Sequence, residues 1–216
     1  MILKKSFVTC VLVPLFALNA RAGTSNFDVN VEVRPASEAR FEQGHFEFSL
    51  VNGAVFSPVG FDIFPRSGTS FDYTQTELRA GWMLNSPYDA GILRGNFEIL
   101  LGLGGGGVIY GPGTVLANGD LFIRYNFVQR HAIIVPYWQL GAGLVVSDAA
   151  RDESQSNIGK TLEFGLQTSL GFRILLNAHW SLDLEGVYQH ISNANTGDRN
   201  VGVNALGGLV GVTRSF

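Results

Sequence analysis

Leu162-Glu163-Phe164-Gly165-Leu166-Gln167-Thr168-Ser169-Leu170-Gly171-Phe172-Arg173-Ile174 decides the fold of this chain. Successive side chains of a β-strand point to opposite faces, so Leu162, Phe164, Leu166, Leu170, Phe172 and Ile174 share one face. Glu163, Gln167, Ser169 and Arg173 share the other. One face is oil and the other polar, over the length that a tilted strand needs to cross a bilayer.

From residue 44 onward the rest of the chain breaks into similar segments. The pattern predicts eight strands near 44–57, 71–84, 91–103, 118–127, 132–145, 161–175, 178–190 and 203–216. With the first strand running outward, the turns at 85–90, 128–131 and 176–177 are short, and the connections at 58–70, 104–117, 146–160 and 191–202 are long. That alternation is the habit of outer-membrane barrels, with short periplasmic turns and longer outside loops. The fold expected is therefore all-β, an eight-stranded antiparallel transmembrane β-barrel over 44–216.

The charges obey the same parity. Glu47, Glu77, Arg79, Arg94, Glu98, Arg124, Glu163, Arg173, Asp183 and Glu185 fall on the inward phase, and Trp82, Phe97, Ile123, Trp138, Leu140, Trp180 and Leu184 on the outward one. Side chains fill the lumen of a barrel this small, so the charges are expected to pair with one another rather than to line a pore.

Composition and compartment agree. Met1-Ile2-Leu3-Lys4-Lys5, the apolar run 7–18 and Ala20-Arg21-Ala22 read as a signal peptide over 1–22, which leaves 23–43 as a periplasmic N-terminal segment. Cys10 lies inside that signal, so the mature chain is expected to carry no thiol or disulfide. A net charge of −3 without any block of Lys or Arg gives no footing for nucleic acid. A hydrophobic share of 46 % with 27 glycines, and no later run long enough for a membrane helix, again points to strands in lipid and to the bacterial outer membrane. Phe216, with Val212 and Val210 at even spacing, resembles the C-terminal signal read by barrel-insertion machinery. Arg214 shares that outward face, where it is expected to snorkel to the interface.

His190-Ile191-Ser192-Asn193-Ala194 places a base and a nucleophile two residues apart, on one face of a strand. Counting by twos from Trp180, Leu182, Leu184, Gly186 and Tyr188 puts His190 and Ser192 on the outward phase, and counting back from Phe216 puts Asn204 there too. A hairpin symmetric about Gly197 sets His190 opposite Asn204, where cross-strand neighbours touch. Polar groups facing hydrocarbon are costly, so their convergence signals either a site or a position in the headgroup zone.

The stretch 186–216 resembles the lipid A 3-O-deacylase (PagL) family, whose His-x-Ser-Asn-Ala motif matches 190–194 and whose Asn-x-Gly-x segment matches Asn200-Val201-Gly202-Val203. The resemblance is looser over Arg94-Gly95-Asn96-Phe97-Glu98 and Arg124-Tyr125-Asn126-Phe127. It implies a barrel with its active site on the outer surface, near the extracellular end, acting as an esterase on the 3-position acyl chain of lipid A and releasing a 3-hydroxy fatty acid. By motif, Ser192 is the implied nucleophile and His190 the general base. Asn193 and Asn200 are the implied oxyanion donors. No cofactor or metal is implied. The implied partners are lipopolysaccharide in the outer leaflet and membrane lipids, with a homodimer left open.

The chain departs from the family at Asn204, where well-studied members carry a Glu that orients the histidine. Asn holds a tautomer by hydrogen bond but brings no negative charge. Two readings stay open: an esterase with Asn as orienter, and a non-catalytic barrel, lipopolysaccharide-binding, adhesin-like or structural. Asp198 in the loop is a weaker substitute carboxylate, and Glu185 points inward. The glycines 104–107 read as outside loop, since no Lys-Ser/Thr follows them. Arg66, Arg151, Lys160 and Arg199 fall in outside loops as solvated charges or lipid A phosphate ligands, and His45, His131 and His179 read as interface histidines.

Overall fold

A computed structural model describes residues 36–57 and 70–216. The expected signal peptide, most of the segment 23–43, most of the first long connection and Arg66 lie outside the described residues. The eight strands are β1 (Phe46–Phe56), β2 (Asp72–Met83), β3 (Asn96–Tyr110), β4 (Val115–Asn126), β5 (Ile134–Ser147), β6 (Leu162–Leu175), β7 (Trp180–Ser192) and β8 (Val203–Ser215). They pair antiparallel in chain order, and β1 pairs with β8 to close the barrel.

The parity read from the sequence is realised strand by strand. Trp82, Phe97, Ile123, Trp138, Leu140, Trp180 and Leu184 are exposed on the outer wall, while Glu47, Glu77, Arg79, Glu98, Arg124, Glu163, Arg173, Asp183 and Glu185 are buried within. Most of these buried charges are paired with one another, while Glu163 accepts the backbone N–H groups of Gly159 (3.0 Å) and Lys160 (2.9 Å). Arg173 holds Glu47 through two nitrogens (2.9 and 2.6 Å) and Asp183 through Nε (2.9 Å), while Arg79 joins Glu77 and Glu185, each at 2.6 Å. Arg124 lies over the Tyr137 ring at 4.3 Å and donates to Gln139 at 2.9 Å. Charges removed from water are tolerated only when so satisfied, and these fill the lumen.

At the end that holds Phe46 and Phe216, aromatic rings meet edge-on: Phe46 with Phe48 at 4.8 Å, Phe46 with Trp82 at 6.3 Å, and Phe48 with Phe216 at 6.1 Å. Such rings form the interfacial girdle of a membrane barrel. Arg214 sits over Phe216 (4.7 Å) and Trp180 (5.6 Å), so a cation–π contact accounts for the charge in an apolar stripe.

Three expectations need correction. Residues 36–43 are not a segment apart from the barrel: after the short helix α1 (Ala36–Ala39), Arg40 donates to Ser215 Oγ (2.8 Å) and Phe41 is fully buried, with its carbonyl bonded by Asn96 (3.0 Å). This end of the lumen is sealed by its own chain. The third strand begins at Asn96 rather than 91, because 91–93 is a short 3-10 turn and Arg94 turns back to meet Glu38 at 2.9 Å. The glycines 104–107 lie in β3, not in a loop, and β3 and β4 continue to a tight turn at 111–114. A glycine is required there by close approach: a Cβ on Gly106 would sit 1.6 Å from the Thr74 carbonyl oxygen. Consequently the β3–β4 turn is shorter than expected and the 84–95 connection longer.

Candidate active site

β7 carries Tyr188, His190 and Ser192 on the outward phase, each part-exposed, and runs two residues further than the sequence pattern suggests. β8 returns with Asn204 directly opposite His190 and Leu206 opposite Tyr188. The symmetric register about Gly197 is thus the register observed.

The side chains form one chain of hydrogen bonds. His190 Nδ1 lies 2.7 Å from Asn204 Oδ1, and His190 Nε2 lies 3.0 Å from Ser192 Oγ. Tyr188 donates its hydroxyl to the same Asn204 Oδ1 at 2.9 Å. A carbonyl oxygen only accepts, so Nδ1 carries the ring proton and Nε2 presents a lone pair to the serine hydroxyl. That is the protonation state in which a histidine can take a proton from serine. The arrangement also relieves the cost of polar groups on a lipid-facing wall.

The 193–202 connection that follows is tightly built. Ala194 and Asn195 both adopt left-handed backbone (φ 52° and 60°), and Gly202 does so at φ 78°. A Cβ on Gly202 would come within 3.3 Å of His190 Cε1, so glycine keeps the approach to the imidazole clear. Asn193 donates its backbone N–H to Asn200 Oδ1 and its amide to the Arg199 carbonyl, each at 2.8 Å, and is buried. Asn200 donates its own amide to Asn195 at 2.8 Å and stays part-exposed. Both residues expected as oxyanion donors are therefore also builders of the turn.

Arg199 fastens this turn to the 148–161 connection by donating to the carbonyls of Ala150 (2.9 Å), Asp152 (2.8 Å) and Gln155 (2.9 Å). Backbone bonds from Val201 to Ser156 and from Gly202 to Asn157, both 3.0 Å, zip the two segments together. Arg199 is thus a clamp, and sequence reading misses it because the partners lie more than forty residues away. Lys160 donates to Thr196 at 3.0 Å on the same rim. Asp198 is exposed, and Glu185 is spent on Arg79 and Tyr137 inside the lumen. His45 and His179 bond the carbonyls of Phe216 and Ser215, as interface residues do.

From His190 and Asn204 an apolar groove of about 920 Å³ runs over the outer wall toward β3, past Leu166, Ala142, Leu121 and Ile123. Ala142 pairs with both Leu166 and Leu121, and Leu166 pairs with His190, so a short side chain lies in line with the histidine. The groove meets His190 and Asn204 from the side that lipid occupies. Among the described residues no cluster of three His, Cys, Asp or Glu side chains is placed to hold a metal.

The chain matches the model of the lipid A 3-O-deacylase (PagL) family over residues 27–213. No curated protein matches it by sequence. Among solved structures, Neisserial surface protein A is similar with a TM-score of 0.53 and 16 % identity, over 81 % of this chain and 98 % of that one. The outer membrane enzyme PagL is similar with a TM-score of 0.50 and 18 % identity, over 76 % and 97 %. At such identities the structural likeness speaks for the fold alone. A closed barrel with an oily outer wall, together with the family match, places the molecule in the bacterial outer membrane. On the strength of a match that covers nearly all of the described barrel, the chain belongs to the lipid A 3-O-deacylase (PagL) family.

Proposed function

We propose that this barrel is an esterase that hydrolyses the 3-position acyl ester of lipid A in the outer leaflet, with Ser192 as nucleophile and His190 as base. The observation that carries this reading is the Ser192–His190–Asn204 chain, 3.0 and 2.7 Å, opening onto an apolar groove on the lipid-facing wall. Ser192 Oγ attacks the acyl carbonyl carbon as Nε2 takes its proton. The tetrahedral intermediate collapses as the imidazolium returns that proton to the departing sugar oxygen, leaving an acyl-serine. Water, deprotonated by the same nitrogen, then attacks the acyl carbon and frees the 3-hydroxy fatty acid and the serine.

Asn200 is the better supported of the two amides for the developing oxyanion. Its bond to Asn195 uses one amide hydrogen and leaves the second for the substrate, and it is part-exposed where Asn193 is buried. Asn204 does the orienting work of a carboxylate through a neutral carbonyl. Mass spectrometry of lipid A from cells expressing the wild type or Ser192→Ala tests the proposal: one hydroxyacyl chain is lost only with the serine intact. Identical lipid A in both would sink it. The neutral Asn204 is what favours the second reading, a non-catalytic barrel that binds lipopolysaccharide, and that reading predicts this identity.

A further inference from the structure

Asn204 presents a problem that a carboxylate does not. The two ends of a primary amide have nearly the same shape and opposite hydrogen-bonding sense, whereas a carboxylate accepts from either oxygen. Turned one way, Asn204 accepts from Nδ1 and leaves Nε2 ready to take the serine proton. Turned the other way, its N–H would donate to Nδ1, the ring proton would move to Nε2, and Ser192 would face a donor. Something must hold the amide with its oxygen toward the histidine.

We propose that Tyr188 is the positioning residue that does so. Its hydroxyl donates to Asn204 Oδ1 at 2.9 Å, and His190 lies 2.7 Å from that same oxygen. Two hydrogens thus converge on one atom, and reversal of the amide would require both neighbours to redirect theirs. The placement follows from the strand: Tyr188 and His190 are two residues apart on β7, hence on one face, and Asn204 lies opposite His190 and diagonal to Tyr188. The ring stands in the groove wall, part-buried against the paired residues Thr168 and Leu206. The inference rests on the esterase reading for its catalytic consequence, but the orientation of the histidine proton is a property of the folded chain alone.

Nitrogen-15 spectra of histidine-labelled protein in micelles, with His190 assigned by its loss in His190→Gln, read the ring proton directly. The wild type is expected to show a protonated Nδ1 and a bare Nε2, and Tyr188→Phe a mixture with a substantial Nε2–H population. In lipid A hydrolysis, Tyr188→Phe is expected to lower kcat about tenfold with little change in KM, the scale of one hydrogen bond. The same change made on Asn204→Asp, whose carboxylate has no wrong way round, is expected to cost less than about threefold. Heat-modifiable gel migration establishes that each variant is folded. An unchanged His190 tautomer in Tyr188→Phe, or an equal loss in both backgrounds, would overturn the role given to Tyr188. Failure of the esterase reading is a separate outcome, seen as identical lipid A with and without Ser192, and the tautomer spectrum still decides Tyr188 in that case.

Discussion

Asn204 faces His190 across the β7–β8 ladder with its Oδ1 2.7 Å from the imidazole Nδ1. A neutral amide fixes the ring but does not stabilise the imidazolium that forms when serine gives up its proton. Asn204→Glu is therefore expected to raise the rate of lipid A deacylation by at least about tenfold, and Asn204→Leu to lower it by a similar factor. Initial rates on purified lipid A in micelles decide this, and a Glu variant slower than the wild type contradicts the assignment.

The short side chain of Ala142 leaves room in the groove between Leu121 and Leu166, on the line that leads to His190. Ala142→Phe is expected to fill that channel and shift preference toward shorter acyl chains. On an outer wall already surrounded by lipid, folding stability should change by less than about 1 kcal/mol. Competition between lipid A species of different chain length reads the effect, and an unchanged product distribution places the acyl chain elsewhere.

Arg199 makes three bonds to carbonyls of the 148–161 connection, and its removal leaves the strands untouched. Arg199→Ala is expected to lower kcat about tenfold, through a loosened 193–202 turn, while the urea unfolding midpoint of the barrel stays fixed. Faster hydrogen exchange across 149–158 should accompany the loss. A loss of stability equal to the loss of rate would mean that the clamp serves the barrel as a whole.

Arg173 binds Glu47 and Asp183 in the sealed lumen, so Arg173→Met takes the bonded cation from two buried carboxylates and leaves Glu47 only the longer contact to Arg124 at 3.6 Å. The expected cost is about 3–5 kcal/mol, measured by urea titration in micelles. Adding Glu47→Gln and Asp183→Asn should recover part of it. The dyad stands on the opposite side of the wall, and the folded fraction should keep its activity.

Asp148 accepts from the Thr114 hydroxyl (2.6 Å) and from the Thr114 and Val115 amides (2.8 and 3.1 Å), which hold its carboxyl down to about 2. A depressed acid stabilises above its unfolded value and loses that contribution as pH falls through the folded one. The tie between the 111–114 turn and the 148–161 connection should thus persist to about pH 4 and give way toward pH 2. The Thr114 amide resonance is expected to titrate with a midpoint of about 2, and a midpoint near that of a free aspartate would refute the bond.

Much of this architecture is legible from local chemistry. The alternation from Leu162 to Ile174 orients every side chain of β6, and parity counted inward from Trp180 and Phe216 brings His190, Ser192 and Asn204 to one face. Symmetry about Gly197 supplies the pairing partner. What escapes is whatever depends on groups without parity or on distant chain. Gly104 to Gly107 carry no alternating side chains, so the extension of β3 is invisible until the Thr74 and Thr76 carbonyls are seen against it. Arg40 and Phe41 follow no periodicity, yet close the lumen through Ser215 and Asn96. Tyr188 is read as one more outward aromatic, and only the distance to Asn204 distinguishes it.

The outward placement of Ser192 and His190 also fixes the dimensionality of encounter. On the proposed esterase reading, the lipid reaches this wall sideways, sliding within its own monolayer, rather than falling from bulk solution into a pit. The effective dose is then a mole fraction per unit area. Suspending the same vesicles in more buffer leaves the collision frequency alone, whereas spreading inert phospholipid among the reactant molecules slows it in proportion.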